Sequence, residues 1–186
     1  MQIDRFYFPV ETLGYGKRMC IWTVGCPHHC YNCSNPELWD CNDDKEISVL
    51  TMINAIKPYI NKCDGITITG GDPFFQAKDL EYLLYELKSI CEGDILVFSG
   101  YTFEEILNNS EMNNCLKYID VLIDGKYIDA MNDNKGLRGS SNQNIHILNK
   151  RFQYRYLNAE ALERQSQLVV DNGLLMNIGI PMKICE

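Results

Sequence analysis

Three cysteines stand together in the run Gly25-Cys26-Pro27-His28-His29-Cys30-Tyr31-Asn32-Cys33, with the spacing C-x3-C-x2-C. Thiolates this close can hold three irons of a cubane iron–sulfur cluster and leave its fourth iron open. A fully ligated cluster mostly carries electrons, whereas an open iron can bind a reactant. Spacing alone leaves three other readings open. Positions i, i+4 and i+7 share one helix face, so the cysteines could be a buried helical stripe, although Gly25, Pro27 and the His-His and Tyr-Asn insertions are poor helix material. Zinc could take the three with His28, His29 or Cys41 as a fourth ligand. An electron-transfer cluster could take Cys41 as a fourth thiolate. The two histidines also invite a proton-transfer role, beside the plainer one of hydrogen bonding or packing.

Strand-like and helix-like segments alternate around this loop. Arg5 to Val10 and Met19 to Val24 read as strands, the second running straight into the cysteines. Ile47 to Tyr59 reads as a helix with Ser48 as N-cap. Gly65 to Thr69 is a β-branched strand that ends at Gly70-Gly71. Lys78 to Cys91 carries Leu80, Leu83, Leu84, Leu87 and Ile90 at helical spacing. Asp94 to Phe98 is the next strand. Thr102 and Glu105 form a capping box that opens another helix. Ile119 to Ile123 and Asn144 to Leu148 are further strands. Alternation of this kind predicts an α/β fold with a parallel sheet. A complete eight-unit barrel needs about 250 residues, more than the 186 present. The expected architecture is therefore a partial, open β/α barrel of about five to six units.

In such sheets ligands collect at the carboxyl ends of the strands. The cysteine loop, Gly70-Gly71-Asp72-Pro73, Ser99-Gly100-Tyr101 and Asp124-Gly125-Lys126 each follow a strand directly. They are predicted to line one rim, and their convergence says more than any one of them. The tail differs. Gln167 to Val170 and Leu174 to Ile180, joined by Asp171-Asn172-Gly173, read as a β-hairpin with an Asn-Gly turn. It is expected to cover an open edge of the sheet, with docking of a partner as the alternative. The division predicted is a core over residues 1–150 and an extension over 151–186, both in one globular unit.

Composition narrows the class. The net charge is −8 and the pI about 4.9, which argues against a broad nucleic-acid face. No segment reaches the roughly 18 apolar residues of a membrane helix, and the first residues lack a signal-peptide pattern. Nine cysteines is an odd count, and without an export signal it does not read as a disulfide framework. A reducing cytoplasm is the expected setting. Cys20, Cys63, Cys91, Cys115 and Cys185 are scattered and read as small buried hydrophobes. No Ser-His-Asp triad or phosphate-binding Walker loop is apparent.

The cysteine loop followed by a Gly-Gly-acid-Pro segment resembles the radical S-adenosylmethionine superfamily. A closer resemblance rests on Thr23 to Cys30, Asn35-Pro36-Glu37, Thr69 to Pro73, Gly100-Tyr101-Thr102, Ile119 to Gly125 and Leu137-Arg138-Gly139-Ser140-Ser141-Asn142-Gln143. In order and over most of the chain, these are similar to the family of anaerobic ribonucleoside-triphosphate reductase activating proteins. The Leu137 to Gln143 segment is the most distinctive, and its bland reading is a turn with local hydroxyl caps. The sequence departs from the superfamily at Asn32, where an aromatic often precedes the third cysteine. It also runs past the point where many relatives stop.

The resemblance implies a 4Fe–4S cluster on Cys26, Cys30 and Cys33, with S-adenosylmethionine chelating the open iron. It implies cofactor contacts from Asn32, Cys33, Ser34, Gly70, Gly71 and Asp72, and from the pair Asp124 and Lys126. It implies reductive cleavage of that cofactor and hydrogen abstraction from a backbone glycine, leaving a glycyl radical. The partners implied are the large glycyl-radical subunit of the reductase and a flavodoxin- or ferredoxin-type donor. Two rivals remain: a radical enzyme acting on another glycyl-radical enzyme or a peptide, and a non-catalytic iron–sulfur or zinc protein.

Overall fold

The structure is a computed structural model that describes residues 1–171 and 173–183. Eight strands and five α-helices are named here in chain order: β1 (Ile3–Val10), β2 (Arg18–Thr23), α1 (Val49–Ile60), β3 (Gly65–Gly70), α2 (Ala77–Ile90), β4 (Asp94–Phe98), α3 (Phe103–Asn108), α4 (Ser110–Leu116), β5 (Val121–Asp124), β6 (Asn144–Ile147), α5 (Gln153–Tyr156), β7 (Ser166–Asp171) and β8 (Leu174–Gly179). The first six strands form one sheet in sequence order. Strands β2 to β5 are parallel. Both outer strands run the other way, β1 against β2 and β6 against β5.

The fold class expected from alternation is therefore present, as a mixed α/β architecture with a parallel centre. The number of parallel units is smaller than expected, because β1 and β6 pair antiparallel. Nothing helical separates β1 from β2, and a short connection favours antiparallel neighbours. Helices α1, α2 and the α3–α4 pair make the crossovers between the parallel strands. Ser48 caps α1 by accepting from Thr51 N, and Thr102 with Glu105 forms the predicted capping box on α3.

Burial on both faces explains the nearly unbroken apolar runs in β2 to β5. Met19, Ile21, Ile66, Ile68, Ile95, Val97 and Leu122 face the helices and pack with Met52, Ile56, Leu80, Leu84 and Ile106. The alternate residues face the opposite side. There Cys20 and Trp22 meet Val169 and Ile178 of the hairpin, and Leu96, Val121 and Ile123 meet Leu137, Tyr156 and Ala159. The tail thus packs on a face of the sheet, where Gln167 also bonds Pro9 O and Glu11 N at the end of the outer strand β1; among the described residues, β7 and β8 pair with each other. The hairpin has the predicted strands, while Asn172 of its turn and Cys185 lie outside the described residues. Cys20, Cys91 and Cys115 are buried as expected, and Cys63 is half-buried. Among the described residues, no helix is long and apolar enough to cross a membrane.

Candidate functional site

The cysteine loop leaves β2 at Val24 and is tied at its base. Gly25 N donates to Leu38 O and Cys26 N to Trp39 O, both at 2.9 Å. The loop is therefore closed on itself and is not a helical stripe. Its turns use left-handed backbone at Gly25 (φ +93°), His29 (φ +46°) and Asn32 (φ +55°). Asparagine tolerates that region better than most residues, a local reason for Asn32 where an aromatic often stands.

The Gly70-Gly71 turn docks directly against this loop. Gly71 N donates to Thr23 O and Asp72 N to Gly25 O, both at 2.8 Å. A Cβ on Gly71 would collide with the backbone of Gly25 and Leu38. Glycine is needed there for one loop to approach the other. Asp72 is 1% exposed. Its carboxylate accepts from Phe74 N (3.0 Å), Ser99 Oγ (3.1 Å) and Gly100 N (2.7 Å), and it meets His28 Nε2 at 2.9 Å. Its lone pairs are thus engaged inside the protein. His28 also packs edge-on against Tyr101, with ring centroids 4.6 Å apart, and His29 stacks on Trp39 at 4.8 Å. His28 thus packs and hydrogen-bonds, and His29 packs.

Cys26, Cys30 and Cys33 are all half-buried. Burial pushes the Cys26 thiol up, while the backbone N–H groups of His28 and His29 pull it down. Burial likewise raises Cys30, opposed by the Tyr127 N–H and the Lys126 ammonium. Cys33 Sγ accepts from Asn35 N at 3.4 Å. Backbone N–H groups thus lie near Cys26 and Cys30 and one is bonded to Cys33, a setting that favours thiolates at a cluster. Among the described residues, no three His, Cys, Asp or Glu side chains converge on a single metal ion. Thiolates serving different irons of a cubane need not converge. The donor set suits a three-cysteine cluster. Cys41 is exposed, with its sulfur 3.5 Å from where a Cβ on Gly25 would stand.

The rim predicted from the sequence gathers Gly70, Gly71, Asp72, Ser99, Gly100 and the 124–126 segment around this loop. Asn32 and Ser34 are exposed on it, and Lys126 is exposed opposite Cys30. Asp124 is buried instead. Its carboxylate accepts from Phe103 N (2.6 Å) and from Asn144 N and Nδ2 (3.1 Å each), and lies 3.1 Å from His146 Nε2. Sequence reasoning did not single out Tyr127 or the Ser99–Asp72 bond. A backbone N–H carries no sequence signal, though Ser99 sat in a rim segment already marked.

Residues 12–146 match a family model described as a 4Fe-4S single cluster domain. The chain is 33% identical over 150 residues to the anaerobic ribonucleoside-triphosphate reductase-activating protein of Enterobacteria phage T4, covering 78% of this chain and 93% of the relative. The protein of the same name from Escherichia coli K12 is 33% identical over 150 residues, covering 76% and 96%. That of Haemophilus influenzae is 34% identical over 148 residues, covering 75% and 94%. The chain belongs to the family of anaerobic ribonucleoside-triphosphate reductase-activating proteins. The solved structure of QueE from Escherichia coli aligns at a TM-score of 0.42 and 19% identity, covering 54% of this chain and 53% of that one. The family-model match ends at residue 146, so the β7–β8 hairpin lies beyond the residues it matches.

Proposed function

We propose that this protein activates an anaerobic ribonucleotide reductase by generating a glycyl radical on its large subunit. The single observation that carries the reading is the Cys26–Cys33 loop at the carboxyl end of β2, closed on Leu38 and Trp39 and docked against the Gly70-Gly71 turn. Cys26, Cys30 and Cys33 would hold three irons of a 4Fe–4S cluster, leaving the fourth open to S-adenosylmethionine. When bound, this pair supplies one-electron cleavage of the cofactor's carbon–sulfur bond and hydrogen-atom abstraction from the partner's glycine.

The chain's own residues do the positioning. Gly70 and Gly71 bring backbone to the cysteine loop, where Asn32, Ser34 and Lys126 border the cofactor. The carboxylates of Asp72 and Asp124 hold the rim from inside. Asp72 ties the His28 ring to the Ser99-Gly100 turn, and Asp124 ties the first turn of α3 to β6. Four parallel strands with helices on one face read as part of an open barrel. Residues 1–150 form the core and 151–186 an extension within the same unit. The electron donor is of the flavodoxin or ferredoxin type, and the setting is the cytoplasm.

The test is electron paramagnetic resonance on an anaerobic mixture of reconstituted protein, reductant, S-adenosylmethionine and the reductase from the same source. The expected result is a glycine-centred doublet that requires the cofactor and is lost in Cys30→Ala. Cofactor cleavage without a doublet, given a competent reductase, would assign another substrate.

A further inference from the structure

Both ends of the β7–β8 hairpin are stitched to one segment, residues 129–139, which lies between β5 and β6. Before the hairpin, Gly136 N donates to Leu162 O and Leu137 N to Ala159 O, both at 2.7 Å. Arg164 is 9% exposed. Its Nη1 donates to Asn132 Oδ1 at 2.7 Å and to Pro181 O at 2.8 Å, and its Nη2 donates to Gly139 O at 3.0 Å. One guanidinium thus joins the segment, the chain entering the hairpin and the chain leaving it. Beyond the hairpin, Asn134 and Lys183 bond each other twice. Lys183 N donates to Asn134 Oδ1 at 2.6 Å, and Asn134 Nδ2 donates to Lys183 O at 2.9 Å. Lys183 Nζ then reaches Asp129, donating to Oδ2 at 2.8 Å and to the backbone O at 3.2 Å.

Asp129 carries this hold to the cysteine loop. Its other oxygen, Oδ1, accepts from Asn32 Nδ2 at 3.3 Å and from the Tyr127 hydroxyl at 2.9 Å. Asn132 Nδ2 in turn donates to that hydroxyl at 3.2 Å. Asn32 stands between Cys30 and Cys33 on left-handed backbone. Asp129 stands on the loop that leaves β5. One carboxylate therefore bridges loops that rise from the first and the last of the parallel strands, β2 and β5. Bonds to an ionised acceptor are stronger than neutral ones. We propose that the C-terminal extension is a strap that holds the cofactor mouth in shape. Lys183 and Arg164 fix the 129–139 segment, and Asp129 is the positioning residue that passes the hold to Asn32. S-adenosylmethionine then meets two loops already set at their working separation, and less ordering is left to binding. The inference rests on the functional reading above, which places Asn32 beside the cofactor.

The experiment compares the full-length wild type with Asp129→Ala, Lys183→Met and Lys117→Met. Amide hydrogen exchange is read on the cluster-free proteins, and S-adenosylmethionine affinity by calorimetry on the reconstituted ones. In Asp129→Ala, residues 28–34 and 125–134 should exchange faster while α1 and α2 keep wild-type protection. The dissociation constant should rise about tenfold. Lys183→Met removes only the ammonium and should raise it about threefold. Lys117→Met cuts an exposed bond to Glu81 in the helical layer and should change neither reading. Should Asp129→Ala fail to fold, Lys183→Met decides alone. Wild-type affinity in both strap variants would overturn the proposal, whether or not exchange is faster, and leave the activase reading intact. An equal loss of affinity in Lys117→Met would overturn it as well, by showing general loosening. A wild type that takes up cluster but binds no S-adenosylmethionine would overturn both the activase reading and the strap.

Discussion

At the amino ends of the parallel strands, Arg18 is fully buried against Asp94. Its Nη2 lies 2.8 Å from Asp94 Oδ2, its Nε donates to Thr67 Oγ1 at 2.6 Å, and its Nη1 donates to Tyr15 O at 3.1 Å. Arg155 meets the other Asp94 oxygen at 2.6 Å, and the Tyr156 hydroxyl also donates to Asp94. At the carboxyl ends, three half-buried sulfurs lie near backbone N–H groups and Lys126. Both ends concentrate polar chemistry, and the deeper one is the end without a reactive side chain at the surface. Buried charge with every donor matched marks a structural knot. Partly exposed nucleophilic atoms, prearranged with N–H donors, mark the working end.

The largest effect that would sharpen this contrast is Cys30→Ser. Bound iron and sulfide should fall sharply and the glycyl doublet should vanish, while the urea midpoint of the cluster-free protein barely moves. Next comes Asp94→Ala, which leaves Arg18 buried without its carboxylate. Unfolding free energy should fall by about 3–5 kcal/mol, with iron per folded chain unchanged. If Asp94→Ala instead stripped the cluster from folded protein, the two ends would not be separable.

The same pair predicts a pH dependence. Burial pushes the Asp94 carboxyl up, but Arg18, Tyr156 and Arg155 outweigh it and hold the group below the usual range. A depressed folded value means the contribution is complete above about pH 4 and is lost as pH falls through that value. Asp94→Asn should therefore flatten the acid side of the stability profile in a urea titration series. A smaller effect is expected for Ser99→Ala, which removes one of four donors to Asp72. It should cost about 1 kcal/mol, read by thermal melting, with cluster uptake retained. Smallest of all is Cys41→Ser, expected within about 0.5 kcal/mol of wild type and at full iron content. Loss of iron there would restore a four-cysteine cluster.

The working end was largely legible in the sequence because its signals are local. The C-x3-C-x2-C spacing, the Gly70-Gly71 turn, the Thr102–Glu105 box and the strand-then-loop order each sit within a few residues. What was hidden depends on partners far along the chain. The direction of β1 follows from pairing with β2, and nothing in its own pattern tells it from a parallel strand. Asp72 and Asp124 read as rim carboxylates, and both sit on the rim. That their oxygens are spent on Ser99, Gly100, Phe103 and Asn144 depends on register between distant strands. The hairpin was readable from its alternation, but alternation says only that one side is buried. Val169 and Ile178 bury against Trp22 and Cys20, so the target was a sheet face.

The cysteine loop is closed by Leu38 and Trp39 and clamped by Asp72 N on Gly25 O. Ordering about one residue of backbone costs on the order of 1–2 kcal/mol, and here that entropy is lost when the chain folds. Small metal domains defer the same loss to metal uptake, so they unfold when stripped. Here backbone bonds to Leu38, Trp39 and from Asp72 also tie the loop, so the polypeptide itself shares in setting the spacing of its three sulfurs.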